Sequence, residues 1–339
     1  MRGIMPKKSK VTITDIARRV NMTTITVSRA LTKPELVKKE TLDRILEVAR
    51  ELNYVPNAFA RNLKGSKSRL IGIITASLDN PFYSEMIKAI SRAAKKRNYS
   101  IMLFDTDGSP ELENKAMETM LSYQVDGIIL SVVSDYDEYH PQYLEQLIHA
   151  NIPVVQVDRR LSGAPFPGVY LDNLASGYKG GRYVLEQGHR HILALAGPEQ
   201  SNISKQRLEG LKQALAECKE PTRLEVLYGD YTMQPAFENA TAYFKQHKQS
   251  PDAVFGLNIL ITLGALKALR KLGNKRHNPA VFSIDEAPYA DIFDFNIPCV
   301  HHDTYQMGHS AINMLLDRIE NPGFEGSDII IEGDLRASV

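Results

Sequence analysis

The 339-residue sequence predicts an α/β protein in which a small all-α segment of three short helices precedes a two-lobed core of parallel sheets. Three observations carry this. Apolar residues recur at helical spacing through residues 11–54. From Leu70 onward, short β-branched runs alternate with amphipathic stretches of about 15 residues, the mark of βαβ units and a parallel sheet. The charge also changes sign along the chain: through position 70 there are 16 Lys plus Arg against 6 Asp plus Glu, and the remainder carries 25 against 34, a net +10 head on a net −9 body.

In the head, Thr12 or Thr14 can cap a first helix over Asp15 to Val20, and Thr23 a second from Thr24 to Leu31. Between them stand only Asn21 and Met22, and Asn tolerates the left-handed backbone that a tight turn demands. Lys39 to Leu52 form the third helix, with Leu42, Ile45, Leu46 and Ala49 on its apolar face. Pro56 stops it, and Asn57 to Leu63 offers one or two further turns before the linker Gly65-Ser66-Lys67-Ser68.

Strands are expected at Leu70 to Ala76, Ser100 to Asp105, Gly127 to Val132 and Val154 to Asp158. A second series runs through Gly168 to Leu171, Ile192 to Ala196, Glu225 to Tyr228, Val254 to Leu257, Val281 to Ile284 and Cys299 to His302. Ten strands exceed one small doubly wound sheet, which is why two lobes are predicted. The intervening helices are amphipathic, as Phe82, Met86, Ile90 and Ala93 show in the first. No short repeat is visible.

Composition narrows the function. With 43% hydrophobic and 24% charged residues the chain is foldable throughout, and its longest apolar runs are far shorter than the roughly 20 residues that span a bilayer. Charge without an apolar segment behind it makes the N-terminus unlike a secretory signal, and two cysteines without C-x-x-C spacing suit a reducing cytoplasm. The basic head on an acidic body is the electrostatic footprint of a part that meets nucleic acid joined to one that does not, although a merely solvated basic face would have the same composition.

The first two helices form a candidate helix-turn-helix. Ile16, Ala17, Val20, Val27 and Leu31 can make its interior, while Thr23, Thr24, Thr26, Ser28 and Arg29 face outward, where the N-terminal residues of a second helix reach base edges in the major groove. The run TITDIARRVNMTTITVSRAL, with ELNYVPNAFARNL behind it, resembles the headpiece of the LacI/GalR family of bacterial transcription regulators. Asp15, Ala17, Thr26, Val27, Ser28, Arg29, Tyr54, Pro56, Asn57, Ala60, Arg61 and Leu63 stand at family positions. Val20, Asn21, Met22 and Thr23 replace the family's A-G-V-S, so the family's base preference does not carry over. The resemblance implies DNA contact by Thr23, Thr24, Ile25, Thr26, Ser28 and Arg29. It also implies a hinge helix whose Asn57, Ala60, Arg61 and Leu63 meet the minor groove, Leu63 as a wedge.

The resemblance continues through LIGIITASLDNPFYSEMIKAI, VDGIIL, IPVVQVDR, LDNLASGYKGGRYVLEQGHRHILALAGP and RLEG. It implies a periplasmic-binding-protein-like core of two Rossmann-like lobes, a small effector in the cleft and a homodimer. The expected domains are a headpiece over 1–56, hinge and linker over 57–68, and a core over 69–339. Within the core the N-lobe is expected at about 69–168 plus 302–326 and the C-lobe at about 169–300 plus 327–339. By resemblance Phe82, Tyr83, Asp158, Arg207, Asn258, Asp285 and His302 form the effector site, and Arg159, which ends the same strand as Asp158, joins them. Carboxylates and guanidinium groups suit paired hydroxyls, and an aromatic covers an apolar face. Asp158 or Asp285 alone could equally cap a helix. Ile203 and Ile259 stand where many sugar-responsive relatives have polar residues.

His301 and His302 are adjacent and would point to opposite sides of a strand, so they do not make a metal site. No nucleophile elbow, P-loop, dinucleotide fingerprint or H-E-x-x-H is present. The expectation is a cytoplasmic, homodimeric repressor without enzymatic activity or cofactor, whose affinity for double-stranded operator DNA is switched by a sugar, sugar acid or sugar phosphate. Arg159, Arg207 and His302 would together offset an anionic group. A purine or nucleoside effector is the alternative within the family, and a sugar-active enzyme with a fused DNA-binding domain is the alternative outside it.

Overall fold

The computed structural model describes residues 11–55, 67–247, 249–273, 278–288 and 297–337. The chain forms two compact units, Met1–Ser68 and Arg69–Val339. The first holds α1 (Ile13–Val20), α2 (Thr24–Thr32), a 3-10 turn at Pro34–Leu36 and α3 (Lys39–Glu51). Of the two candidate caps, Thr12 serves: its hydroxyl accepts from the Asp15 N–H, and Asp15 Oδ2 accepts from the Thr12 N–H at 2.9 Å. This reciprocal pairing satisfies two otherwise unbonded donors. Asn21 ends α1 with φ 53°, the left-handed turn expected of it. Ile16, Ala17, Val20, Val27, Ala30, Ile45 and Ala49 are buried together. Leu46, expected on the inner face of α3, is 37% exposed, because it sits about 100° around the helix from Ile45, whose row continues to Ala49. The expected hinge helix, with Asn57, Ala60, Arg61 and Leu63, lies outside the described residues.

In the second unit the N-lobe sheet is built from β1 (Leu70–Thr75), β2 (Ser100–Asp105), β3 (Gly127–Leu130), β4 (Val154–Val157), β5 (Gly168–Leu171) and β11 (Ile329–Ile331). Its order is β2-β1-β3-β4-β5-β11, all parallel. The C-lobe sheet comprises β6 (His191–Ala196), β7 (Arg223–Tyr228), β8 (Ala253–Gly256), β9 (Ala280–Ile284), β10 (Cys299–His302) and β12 (Gly333–Arg336). Its order, β7-β6-β8-β9-β10-β12, repeats the first, with β12 antiparallel. Inner strands such as HILALA are buried along their whole length because helices cover both faces. Those of the N-lobe are α4 (Pro81–Lys96), α5 (Pro110–Ser122), α6 (Tyr143–Ala150) and α11 (Thr304–Glu320); those of the C-lobe are α7 (Asn173–Glu186), α8 (Asn202–Ala216), α9 (Met233–Gln246) and α10 (Ile259–Leu272).

Two expectations change here. The lobe boundary expected after 168 moves to 171, because β5 pairs with β4 and joins the N-lobe sheet. The tail expected wholly in the C-lobe is divided: Ile329–Ile331 pairs with β5, and only Gly333–Arg336 pairs with β10. The chain therefore crosses between lobes three times, after β5, β10 and β11. The last two strands escaped the sequence reading because they span three and four residues and are interrupted by Glu332 and Asp334.

The lobes are structural repeats that the sequence does not announce. Asp172 and Asp303 cap the two crossing helices with nearly the same backbone, φ −76°, ψ 83° and φ −74°, ψ 82°. Five residues on, Gly177 and Gly308 let α7 approach α8 and α11 approach α4; a Cβ on either would overlap a backbone oxygen, of Arg207 and Met86 respectively. Gly177→Ala therefore has to displace the helix that carries Arg207. Overpacking of this kind costs about 1–3 kcal/mol, and thermal unfolding of the variant should show a midpoint several degrees lower.

Candidate functional site

The cleft between the core lobes gathers Asn80, Phe82, Tyr83, Asp158 and Arg159 from the N-lobe with Ile203, Arg207, Tyr231, Asn258 and Asp285 from the C-lobe. Most stand just beyond the carboxyl ends of strands, where open α/β sheets bind ligands. Asp158 follows β4 and Asp285 follows β9, equivalent strands of the two sheets, and both adopt positive φ, 64° and 71°. Each is held by an N–H bond to the next strand, Asp158 to Val169 O and Asp285 to Val300 O. A non-glycine residue in this region is strained, and such strain gathers at functional sites. Neither aspartate caps a helix among the described residues; that role belongs to Asp172 and Asp303.

The two carboxylates differ electrostatically. Asp158 Oδ2 accepts from the Tyr83 hydroxyl at 2.8 Å; burial raises its pKa and outweighs the opposing pull of Arg159 and Tyr83. Burial also pushes Asp285 upward, but the hydrogen bond from His302 Nδ1 at 3.0 Å and the charge of Arg207, 3.9 Å away, hold it below the ordinary value. With its folded pKa below the unfolded one, Asp285 stabilises the fold at neutral pH, and that contribution is lost as pH falls through the folded value.

Arg159 donates to the carbonyls of Val132 and Val133 and lies over the Tyr231 ring, 5.1 Å from its centroid. Arg207, only 3% exposed, donates through Nε to Asn173 Oδ1 at 2.8 Å and through a terminal nitrogen to the Leu257 carbonyl. Asn258 lines the cleft with both polar atoms engaged: its oxygen caps α10 and its amide donates to Tyr231 O. The cavity left between the lobes is about 30 Å³, room for water and not for a sugar or a base. A chamber of about 200 Å³ adjoins it, sharing Asp158 and Ile203.

Seven of the eight residues named from the sequence thus meet in one cleft. His302 does not line it. It lies behind Asp285, with Nε2 at 2.9 Å from Ser176 Oγ, whose hydroxyl donates to Asp172 O, so it connects the cleft carboxylate to the crossovers. The expected trio of Arg159, Arg207 and His302 around an anion is not formed, because His302 is spent on Asp285. Asn80, Asn173 and Tyr231 were not among the residues expected there. Tyr231 lies three residues beyond β7 and was open to the same strand-end argument; Asn173 was hidden by the misplaced lobe boundary.

In the head, Thr23 caps α2, accepting from the Thr26 N–H at 3.2 Å and pairing with its hydroxyl at 2.9 Å. Thr24, Ile25 and Arg29 are exposed, while Thr26 and Ser28 are half-buried. Ile25, an aliphatic side chain 66% exposed, stands beside Thr24 at the start of the helix. His301 faces away from His302 and pairs with Glu286 at 2.8 Å. Among the described residues no group of three His, Cys, Asp or Glu is gathered for a metal, and no helix is long and apolar enough to cross a membrane.

Comparison with known proteins agrees with this architecture. The family described as periplasmic binding proteins and sugar binding domain of LacI family matches residues 68–335. The HTH-type transcriptional repressor PurR of Erwinia tasmaniensis is 32% identical over 321 residues, covering 94% of this chain and 93% of its own. PurR of Proteus mirabilis is 31% identical, covering 91% of each. The fold is also that of the Lac repressor dimer bound to operator and the anti-inducer ONPF, at a TM-score of 0.80 and 23% identity over 97% of this chain and 98% of that one. With residues 12–57 matching the headpiece of bacterial regulatory proteins of the lacI family as well, the chain belongs to the LacI family of DNA-binding transcription regulators.

Proposed function

We propose that the protein is a cytoplasmic, homodimeric repressor whose operator affinity is switched by a small neutral ligand held between the core lobes, a purine or nucleoside in preference to a sugar acid or sugar phosphate. The observation that carries the ligand class is the balance of charge in the cleft. Two carboxylates face two guanidinium groups, so the cleft carries no excess of positive charge to favour an anionic group, and both guanidiniums are held in place by main-chain carbonyls and, for Arg207, by Asn173. The walls are aromatic, and the Tyr231 face already carries a planar guanidinium, the kind of surface on which a flat base stacks. The names of the PurR relatives support repression. A neutral sugar is the second reading, favoured by the paired carboxylates of Asp158 and Asp285, which suit adjacent hydroxyls.

On the DNA side, Thr24, Ile25 and Arg29 read the major groove, assisted by Thr23, Thr26 and Ser28, and Asn57, Ala60, Arg61 and Leu63 act as the hinge. An exposed aliphatic group such as Ile25 suits a thymine methyl. A thermal-shift screen of purines, nucleosides, sugars, sugar acids and sugar phosphates tests the ligand class, since a ligand that binds only the native state raises the midpoint. A rise confined to sugar acids or sugar phosphates would refute the neutral-ligand reading, and turnover of the bound compound would refute the regulator.

A further inference from the structure

In the segment between β3 and α6, residues 131–142, Asp135 and Asp137 make polar contact with the other lobe. Asp135 is 4% exposed although it carries a carboxylate. Its Oδ2 accepts from the N–H of Ile203 at 2.8 Å, and its main-chain oxygen accepts from Asn202 Nδ2 at 2.6 Å. The same amide reaches Asp137 Oδ1 at 3.1 Å. Asn202 and Ile203 are the first two residues of α8 in the C-lobe, where helix N–H groups lack intrahelical partners and the macrodipole favours an anion. Of the N–H groups in the first turn, the hydroxyl of the helix's own cap, Ser201, takes that of Ser204. The Ile203 donor is therefore satisfied from the opposite lobe.

The arm is held firmly at its base. Glu113 of α5 is wholly buried and accepts three hydrogen bonds, from the Val133 N–H at 2.6 Å and from the Tyr139 and Tyr143 hydroxyls at 2.7 Å each. Val133, which Glu113 fixes through its N–H, offers its carbonyl to Arg159 in the cleft. Two residues further on is Asp135. Glu113 thus sets both the position of Arg159 and the reach of the arm.

We infer that Asp135 is an interlobe latch, a carboxylate that docks on the first turn of α8 only when the lobes are closed, and that Glu113 is the positioning residue that presents it. The part of the cleft around Arg207 and Asp285 admits water but no larger molecule, so a ligand seated between those two residues requires the lobes to part, which strains this contact. Closure is then an equilibrium set partly by the protein's own groups, and the ligand works upon it. The inference holds for any ligand class.

Single-molecule energy transfer in the full chain tests it, with dyes at Glu118→Cys in the N-lobe and Lys245→Cys in the C-lobe of a Cys218→Ser background. Without added ligand the parent should show a closed population. Asp135→Ala should lower the closed-to-open ratio about tenfold or more, the effect of losing a charge-assisted hydrogen bond. Asn202→Ala should give a smaller change in the same direction, with Glu113→Gln between them. Amide exchange at Ile203 should accelerate in step, a change that general loosening of the core, followed by thermal unfolding, would not confine to α8. If Asp135→Ala does not fold, Asp135→Asn and Asn202→Ala carry the test. A parent without a closed population, or distributions unchanged by the substitutions, overturns the latch.

Discussion

A fragment beginning at Arg69 is expected to fold, to keep its ligand response and to lose specific DNA binding altogether. The probe is duplex DNA selected from a random pool by the full chain, and the measurement is a mobility shift at several salt concentrations. Removing residues 1–68 removes most of the basic head, and the body left behind is net negative, so it repels phosphate. Proteins that neutralise 6–10 phosphates lose roughly 10³ to 10⁵ in affinity between 50 and 200 mM salt, and the full chain should show that steep dependence while the fragment shows none. Arg29→Ala in the full chain should be milder. A base-edge contact is worth about 1–3 kcal/mol, so selected-site affinity should fall roughly tenfold to a hundredfold with thermal unfolding of the core unchanged. Equal binding by fragment and full chain would place the DNA-reading surface in the core and sink the assignment of Thr24, Ile25 and Arg29.

The second large effect is expected in the cleft. Arg207→Ala removes the donor to Asn173 and Leu257 and leaves Asp285 with one cationic neighbour fewer; Asp285→Ala leaves Arg207 and His302 facing a gap. Truncating one partner of a buried charged pair costs about 2–5 kcal/mol of binding, or roughly thirty-fold or more in affinity. Titration calorimetry with the compound found in the thermal-shift screen measures it. Operator binding without ligand should persist in both variants if the ligand induces. If the ligand is instead a corepressor, both variants should bind operator weakly under every condition. Wild-type ligand affinity in both variants would show that the site lies elsewhere. The His302→Gln variant should weaken the ligand less, because His302 reaches the cleft only through Asp285.

How much of this could be read in advance depended on the distance over which each feature is encoded. Local features were legible. The cap at Thr23, the left-handed turn at Asn21 and the onset of strands at Leu70 follow from neighbours a few residues apart, whose hydrogen bonds and periodicity act within one turn or one strand. Strand ends were legible too, and since parallel sheets put their ligand sites there, Asp158, Arg159, Asn258 and Asp285 stood out; the resemblance to the family added Phe82, Tyr83 and Arg207 before their meeting in space was known.

What the tertiary structure alone decided involves pairs far apart in the chain. The assignment of β5 to the first sheet rests on β4 at one side and on a strand about 160 residues later at the other, and no local pattern distinguishes that partner from the second sheet. His302 reads as one more polar strand end, yet its partners, 17 and 126 residues away, turn it inward to hold Asp285. Nothing within a few residues of Asp135 marks it for burial; its donor comes from α8, 68 residues on. A side chain's propensity says whether it can be buried or bonded; which group satisfies it depends on which surfaces the folded chain brings within about 3 Å, and hydrogen bonding acts only over that range.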